Sequence, residues 1–173
     1  MRIRVVSLAG RRGSGKSTAA LALEQHGFVR ATFGGFVRTV ATSRGLAHDI
    51  PTLEWLGNQL IAELGWVEFC RRVLTGKEAA ARVVVDGVRH CAARDTIRRL
   101  FLPDRSAVVF FDIDETERAS RLNARGRFGD LPAAGEMSDD LVQLRNEADL
   151  IVDGSSDDTL NEILDWIASS EHS

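Results

Sequence analysis

The stretch Gly10-Arg11-Arg12-Gly13-Ser14-Gly15-Lys16-Ser17-Thr18 has the spacing G-x-x-x-x-G-K-S. Glycines let backbone N–H groups approach an anion closely, and a helix opening at Lys16 adds about half a positive charge at its first turn. Such a stretch is a phosphate cradle, or P-loop: Gly10, Gly13, Ser14, Gly15, Lys16, Ser17 and Thr18 are the expected nucleotide contacts, with Lys16 bridging the terminal phosphates. The Ser17 hydroxyl is a hard oxygen donor suited to Mg²⁺. Asp86, at the carboxyl end of Arg82-Val83-Val84-Val85-Asp86, is the expected second holder of that ion. A helix cap is the plainer alternative for Asp86. ATP with Mg²⁺ is the expected cofactor pair, because no Asn-Lys-x-Asp guanine motif occurs and the other lysine, Lys77, precedes Glu78.

Arginines supply the second set of chemically capable groups. Of 22 basic residues, all but Lys16 and Lys77 are arginine, and a guanidinium fork matches phosphate oxygens in pairs. Arg118, Arg121 and Arg125 stand at i, i+3 and i+7, so three guanidinium groups share one helix face and can converge on a phosphate chain, with Arg127 nearby. Asp114, Glu115 and Glu117 leave a second reading open, a salt-bridged solvated helix.

These groups need a scaffold. Apolar, β-branched runs at 3–9, 29–33, 82–86, 107–113 and 149–153 alternate with helical patterns, which predicts an α/β three-layer sandwich around a five-stranded parallel sheet. Ligands of such sheets bind beyond the carboxyl ends of the strands. Residues 34–81 read as a helical insertion with a helix after Pro51, long enough for an arm over the substrate. Residues 116–148 hold two helical patterns around Gly126, Gly129, Pro132 and Gly135, which suits a lid over about 116–136. One domain spans 1–173, and the tail from Ser169 to Ser173 reads as disordered.

The motifs and their order resemble the nucleoside monophosphate kinases among P-loop kinases, together with dephospho-CoA kinases and small adenylate-kinase-like proteins. Asp86-Gly87-Val88-Arg89 is similar to the Asp-Gly-x-Arg signature of that group, which implies that Arg89 binds the acceptor phosphate. Arg121-Leu122-Asn123-Ala124-Arg125 resembles the Arg-Leu-x-x-Arg opening of its lid, which implies catalytic roles for Arg121 and Arg125 beside Lys16 and Arg89. Arg38 resembles the acceptor-phosphate arginine of the arm, and Asn146 to Gly154 resembles the last strand and the loop beside the donor adenine.

Departures bear on the acceptor. Where hydroxyl-directed relatives carry an aspartate after the second strand, this chain has Phe33-Gly34-Gly35, and Ile50 and Glu54 stand where several relatives carry an arginine and a glutamine. An acceptor phosphate is already an anion and needs positioning more than deprotonation, so a nucleoside or deoxynucleoside monophosphate is the leading acceptor. A hydroxyl acceptor such as dephospho-CoA is the alternative, and a nucleotide-dependent switch is the alternative of another class. Trp55, Trp66 and Phe69 are either core residues or stacking platforms. His26, His48, His90 and His172 form no ligand spacing, and only His90 adjoins a site residue.

Composition narrows the partners. A net charge of -3 argues against general nucleic-acid binding, and no apolar run approaches the roughly 20 residues that span a bilayer. A cytoplasmic protein with reduced Cys70 and Cys91, acting on small nucleotides as a monomer or dimer, is expected.

Overall fold

Each apolar run read from the sequence holds a strand. The computed structural model describes residues 2–124 and 137–172. Its strands are β1 (Ile3–Gly10), β2 (Val29–Thr32), β3 (Val83–Val88), β4 (Arg105–Asp112) and β5 (Leu150–Asp153). All pair in parallel in the order β2-β3-β1-β4-β5. The strand most buried, β1, leads directly into the glycine-rich loop.

Alternation along the strands divides the core in two. Val5, Ala9, Val83, Val85, Val108 and Phe110 face one layer, and Val6, Leu8, Val84, Val109 and Phe111 face the other. The second layer is α1 (Lys16–Glu24) and α7 (Thr159–His172). The first is α2 (Phe33–Ser43), α3 (Ile50–Leu74), α4 (Cys91–Leu100) and α6 (Asp139–Asn146), while α5 (Glu115–Ala124) lies against the loop after β1. This is the expected three-layer α/β sandwich.

The 34–81 stretch contains two helices rather than the one read after Pro51. The Thr32 side chain caps α2 by accepting from Gly35 N at 3.3 Å, which lets Gly34 and Gly35 enter a helix despite their poor propensity. Asp49 caps α3 by accepting from Thr52 N at 2.9 Å, with Pro51 in the first turn. A kink at Gly65 divides α3. Beyond it, Phe69 packs on Phe33 and Phe36 at ring separations of 5.6 and 5.5 Å and on Trp66 at 6.1 Å, so Phe69 is a core residue and Trp66 packs against that core. Trp55 is exposed.

The carboxyl-terminal tail is not disordered through His172, because it is helical to that point. Glu171 accepts from Arg82 Nη2 at 2.9 Å and from Ile3 N at 3.1 Å, tying α7 to the start of the sheet. Among the described residues no helix is long and apolar enough to cross a membrane.

Candidate functional site

Three strand ends and one loop build the site. At the carboxyl end of β1 the chain leaves Gly10 and turns through Arg11 to Ser14, where Ser14 N donates to Arg11 O at 3.3 Å. Gly15 is the N-cap of α1 and has φ 94, a left-handed conformation that a side chain would strain. Ser17 and Thr18 are exposed in the first turn of α1. The first turn of α1 is therefore open to solvent at Ser17 and Thr18, beside the loop, and a helix N-terminus of this kind suits an anion.

Lys16 is buried and curls back over the loop, its Nζ donating to Arg11 O at 2.5 Å and to Ser14 Oγ at 3.1 Å. Burial lowers its pKa to about 7. That value already includes the positive charge of Arg89 and, less strongly, that of Arg12, which act with burial against the pull of the Asp86 carboxylate. One ammonium thus feels two guanidinium groups and one carboxylate. Such a concentration of positive charge is costly in a bare protein and is relieved by a polyanion.

β3 delivers two of these groups. The β1/β3 register runs Leu8 opposite Asp86 and Ala9 opposite Val88, so Gly87, at φ 90, is an extra residue bulging from the ladder. Asp86 is buried and Arg89 half-buried. Arg38, on α2, is exposed, and its Nη1 lies so near Gly34 that a Cβ there would meet it at 3.3 Å. The arm reaches the P-loop as well, since Arg12 Nη2 donates to Glu54 Oε1 of α3 at 3.1 Å.

The arginines of α5 have separate roles. Arg121 donates to Glu117 Oε1 and to the carbonyl of Gly154, each at 2.8 Å, and so sits on the loop after β5. Arg118 is buried and paired with Glu115, which also accepts from Arg11 Nη1 at 2.6 Å. The expected convergence of 118 and 121 on one phosphate chain is not what the structure displays, because Arg118 is engaged behind the loop. Arg125 and Arg127 lie outside the described residues, as does much of the expected lid.

The Gly154 loop flanks the P-loop on its other side. A depression of about 440 Å³ at the ends of β4 and β5 is lined by Ile113, Asp114, Ile151 and Asp153 among others. It adjoins the P-loop because Gly154 packs on the Ser14 carbonyl. Two hydrogen bonds from Ser155 to Asp153 fix the turn and hold the Asp153 carboxyl below the usual range. Gly154→Ala is expected to displace the Ser14 peptide and weaken ATP binding by about 10-fold or more, while adding about 1–3 kcal/mol of overpacking strain. Titration calorimetry and thermal unfolding read the two effects.

His90 belongs to a helix clamp. Its Nδ1 is 2.9 Å from Asp140 Oδ2, its ring lies 5.1 Å from that of Trp66, and Cys91 N donates to Asp140 Oδ1 at 3.0 Å. Asp140 of α6 thereby caps α4, and the Cys91 N–H holds its carboxyl below the usual range. Cys70 and Cys91 are free thiols, and burial pushes Cys70 up to about 12.

The sheet order, P-loop and strand-end arrangement define a P-loop kinase fold. An APS kinase of Mycobacterium tuberculosis, solved with AMPPNP and APS, superimposes with TM-score 0.61 at 19% identity, over 96% of this chain and 98% of its own. A shikimate kinase of Aquifex aeolicus does so with TM-score 0.56 at 18% identity over the same shares. At such identities the likeness establishes architecture alone.

The chain belongs to the UPF0200 family. A UPF0200 protein of Thermococcus kodakarensis is 33% identical over 134 residues, 73% of this chain and 70% of the relative. One from Methanothrix thermoacetophila is 31% identical over 142 residues, 79% and 77% of the two chains. No family model matches.

Proposed function

We propose that this chain is an ATP-dependent phosphotransferase that passes the γ-phosphate to the phosphate of a small nucleotide, a nucleoside or deoxynucleoside monophosphate. The observation that carries the reading is the electrostatic convergence on Lys16: Arg89 and Arg12 act on the ammonium from one sign and Asp86 from the other. Arg89 follows the bulge at Gly87, and it is the residue assigned to the acceptor phosphate. Arg38, folded toward Gly34 at the end of β2, is its assigned partner.

The residues present fit both expected cofactors. Gly15 leaves the cradle open where a Cβ would crowd Gly154 O at 3.0 Å. Ser17 and Asp86 are hard oxygen donors of the kind Mg²⁺ takes, and Asp86 is buried where its charge acts on Lys16. Mg²⁺, when bound, would neutralise phosphate charge. Lys16, Arg89, Arg121 and Arg125 stabilise charge on the transferring group. Residues 34–81 serve as the acceptor arm and about 116–136 as the lid of one domain, in a cytoplasmic enzyme.

A hydroxyl acceptor is the second reading, and Glu54 favours it. This carboxylate stands against Arg12 of the P-loop, where it offers the proton acceptor that Phe33-Gly34-Gly35 lacks. One coupled ATP-to-ADP assay with Mg²⁺ separates the readings, run across all ribo- and deoxyribonucleoside monophosphates, dephospho-CoA and a no-acceptor control. Turnover with a monophosphate and little hydrolysis without acceptor is the expected result. Turnover with alcohols alone would move the assignment to Glu54 chemistry, and equal hydrolysis with or without acceptor would overturn both.

A further inference from the structure

Arg118 has the largest side chain among those fully buried in the described structure, and it carries a charge. A buried guanidinium persists only where its donors are satisfied and its charge is paired. Its Nε donates to Glu115 Oε2 at 3.0 Å, its Nη2 donates to Glu115 Oε1, and its Nη1 donates to the carbonyl of Arg12 at 3.3 Å. Glu115 also accepts from Arg11 Nη1 at 2.6 Å, while Arg11 Nη2 donates to Ile113 O at 3.3 Å. The packing is equally close, for a Cβ on Gly13 would meet Leu122 Cγ at 3.1 Å and Arg118 Cγ at 3.3 Å. The first turns of α5 thus support the outer side of the P-loop from Arg11 to Gly13.

The peptide between Arg12 and Gly13 is trans, so its C=O and N–H point to opposite sides. A guanidinium that holds the Arg12 oxygen toward α5 therefore turns the Gly13 N–H the other way, toward the open side of the loop. We infer that Arg118, oriented by Glu115, is a positioning residue that aims the Gly13 amide at the phosphates of the bound nucleotide. The Glu115 carboxyl is held below its usual range, first by the hydrogen bond from Arg118, so the pair stays charged at neutral pH. The Arg11 branch makes the support a three-membered network rather than one ion pair. The inference rests on the P-loop being a nucleotide site.

The test uses inorganic tripolyphosphate alongside MgATP, because the polyphosphate engages the cradle and nothing else of the nucleotide. Wild type is expected to bind both, and its Gly13 amide resonance to shift strongly on addition of tripolyphosphate. Arg118→Met keeps the apolar stem and removes the fork. It is expected to lose about 10- to 100-fold in affinity for both probes by the same factor, as when groups that orient a ligand's direct contacts are removed, with the Gly13 shift largely abolished. A loss of folding alone would leave the affinity of the folded fraction unchanged. Should Arg118→Met not fold, Glu115→Gln carries the test, since this partly exposed residue keeps an acceptor for Arg118 and loses the charge that orients it. The same pattern at smaller amplitude is expected of it. Wild-type affinities and a wild-type Gly13 shift in either folded variant would overturn the positioning role. Failure of wild type to bind either probe would instead overturn the P-loop reading itself.

Discussion

Lys16→Ala is expected to lower kcat/KM for phosphoryl transfer by about 10³-fold, the scale seen when one preorganised charge at a transition state is removed. Nζ stands over the loop at 2.5 Å from Arg11 O, so no other ammonium is placed to replace it, the remaining lysine being Lys77 after α3. The variant should nevertheless remain folded. Burial, Arg89 and Arg12 all disfavour the charged form of Lys16 and lower its pKa from 10.5 to about 7. Between those two values the unfolded chain holds the proton more firmly than the folded one, so this group lowers stability by an amount that grows as pH falls from 10.5 and levels off below 7. Alanine removes that penalty, and its unfolding temperature at pH 7.5 should not fall below that of wild type by more than the loss of packed methylenes accounts for. A coupled assay and a thermal melt on one preparation check both statements. Retained activity would remove Lys16 from the chemistry, whereas a collapsed melt would make the lost activity uninformative.

The phosphate cradle was legible because its residue types are dictated locally. Only glycine takes φ 94 without strain at position 15, and a lysine directly after it is unusual outside this geometry. The strands were legible for a similar reason, since a run such as Val83-Val84-Val85 is short, β-branched and apolar on both faces, as a strand buried in a parallel sheet is. The start of α2 was hidden because Gly34 and Gly35 argue against a helix until Thr32 is seen to cap it. Arg118 departs from its expected place for a different reason. Its spacing with Arg121 and Arg125 put it on a phosphate-facing stripe, but its spacing of three from Glu115 was the stronger local signal, and the Arg12 carbonyl that completes its shell is 106 residues away. The order of the tail is hidden likewise, because the partner that holds Glu171 is Arg82, and no local pattern reports a contact across 89 residues.

The same contrast separates the two sides of the site. The groups proposed for the donor come from one continuous segment and from Gly154, whose lack of a side chain is a local signal. The groups proposed for the acceptor come from α2, α3 and the turn after β3, three segments that meet through the sheet order β2-β3-β1. Sequence order alone places Arg38, Glu54 and Arg89 far apart. In the fold β3 lies between β2 and β1, so the turn after β3 that carries Arg89 lies between the end of β2, where Arg38 folds toward Gly34, and the P-loop, where Arg12 meets Glu54.

Arg89→Ala tests that gathering most directly. It is expected to lower kcat/KM for the acceptor by about 10²- to 10³-fold, as loss of a charge-assisted fork on a phosphate would, with the larger share in the acceptor KM. ATP affinity should hold or rise slightly, because Arg89 is the strongest of the charges that lower the Lys16 pKa and its removal makes the ammonium easier to keep protonated. Arg89→Lys restores the charge but not the planar pair of donors, so it should recover only part of the loss. Steady-state kinetics with the acceptor varied, together with calorimetric titration of ATP, separate the two sides. A fall in ATP affinity as large as the fall in kcat/KM would place Arg89 on the donor, and the acceptor phosphate would then have to be held by Arg38 and the arm alone.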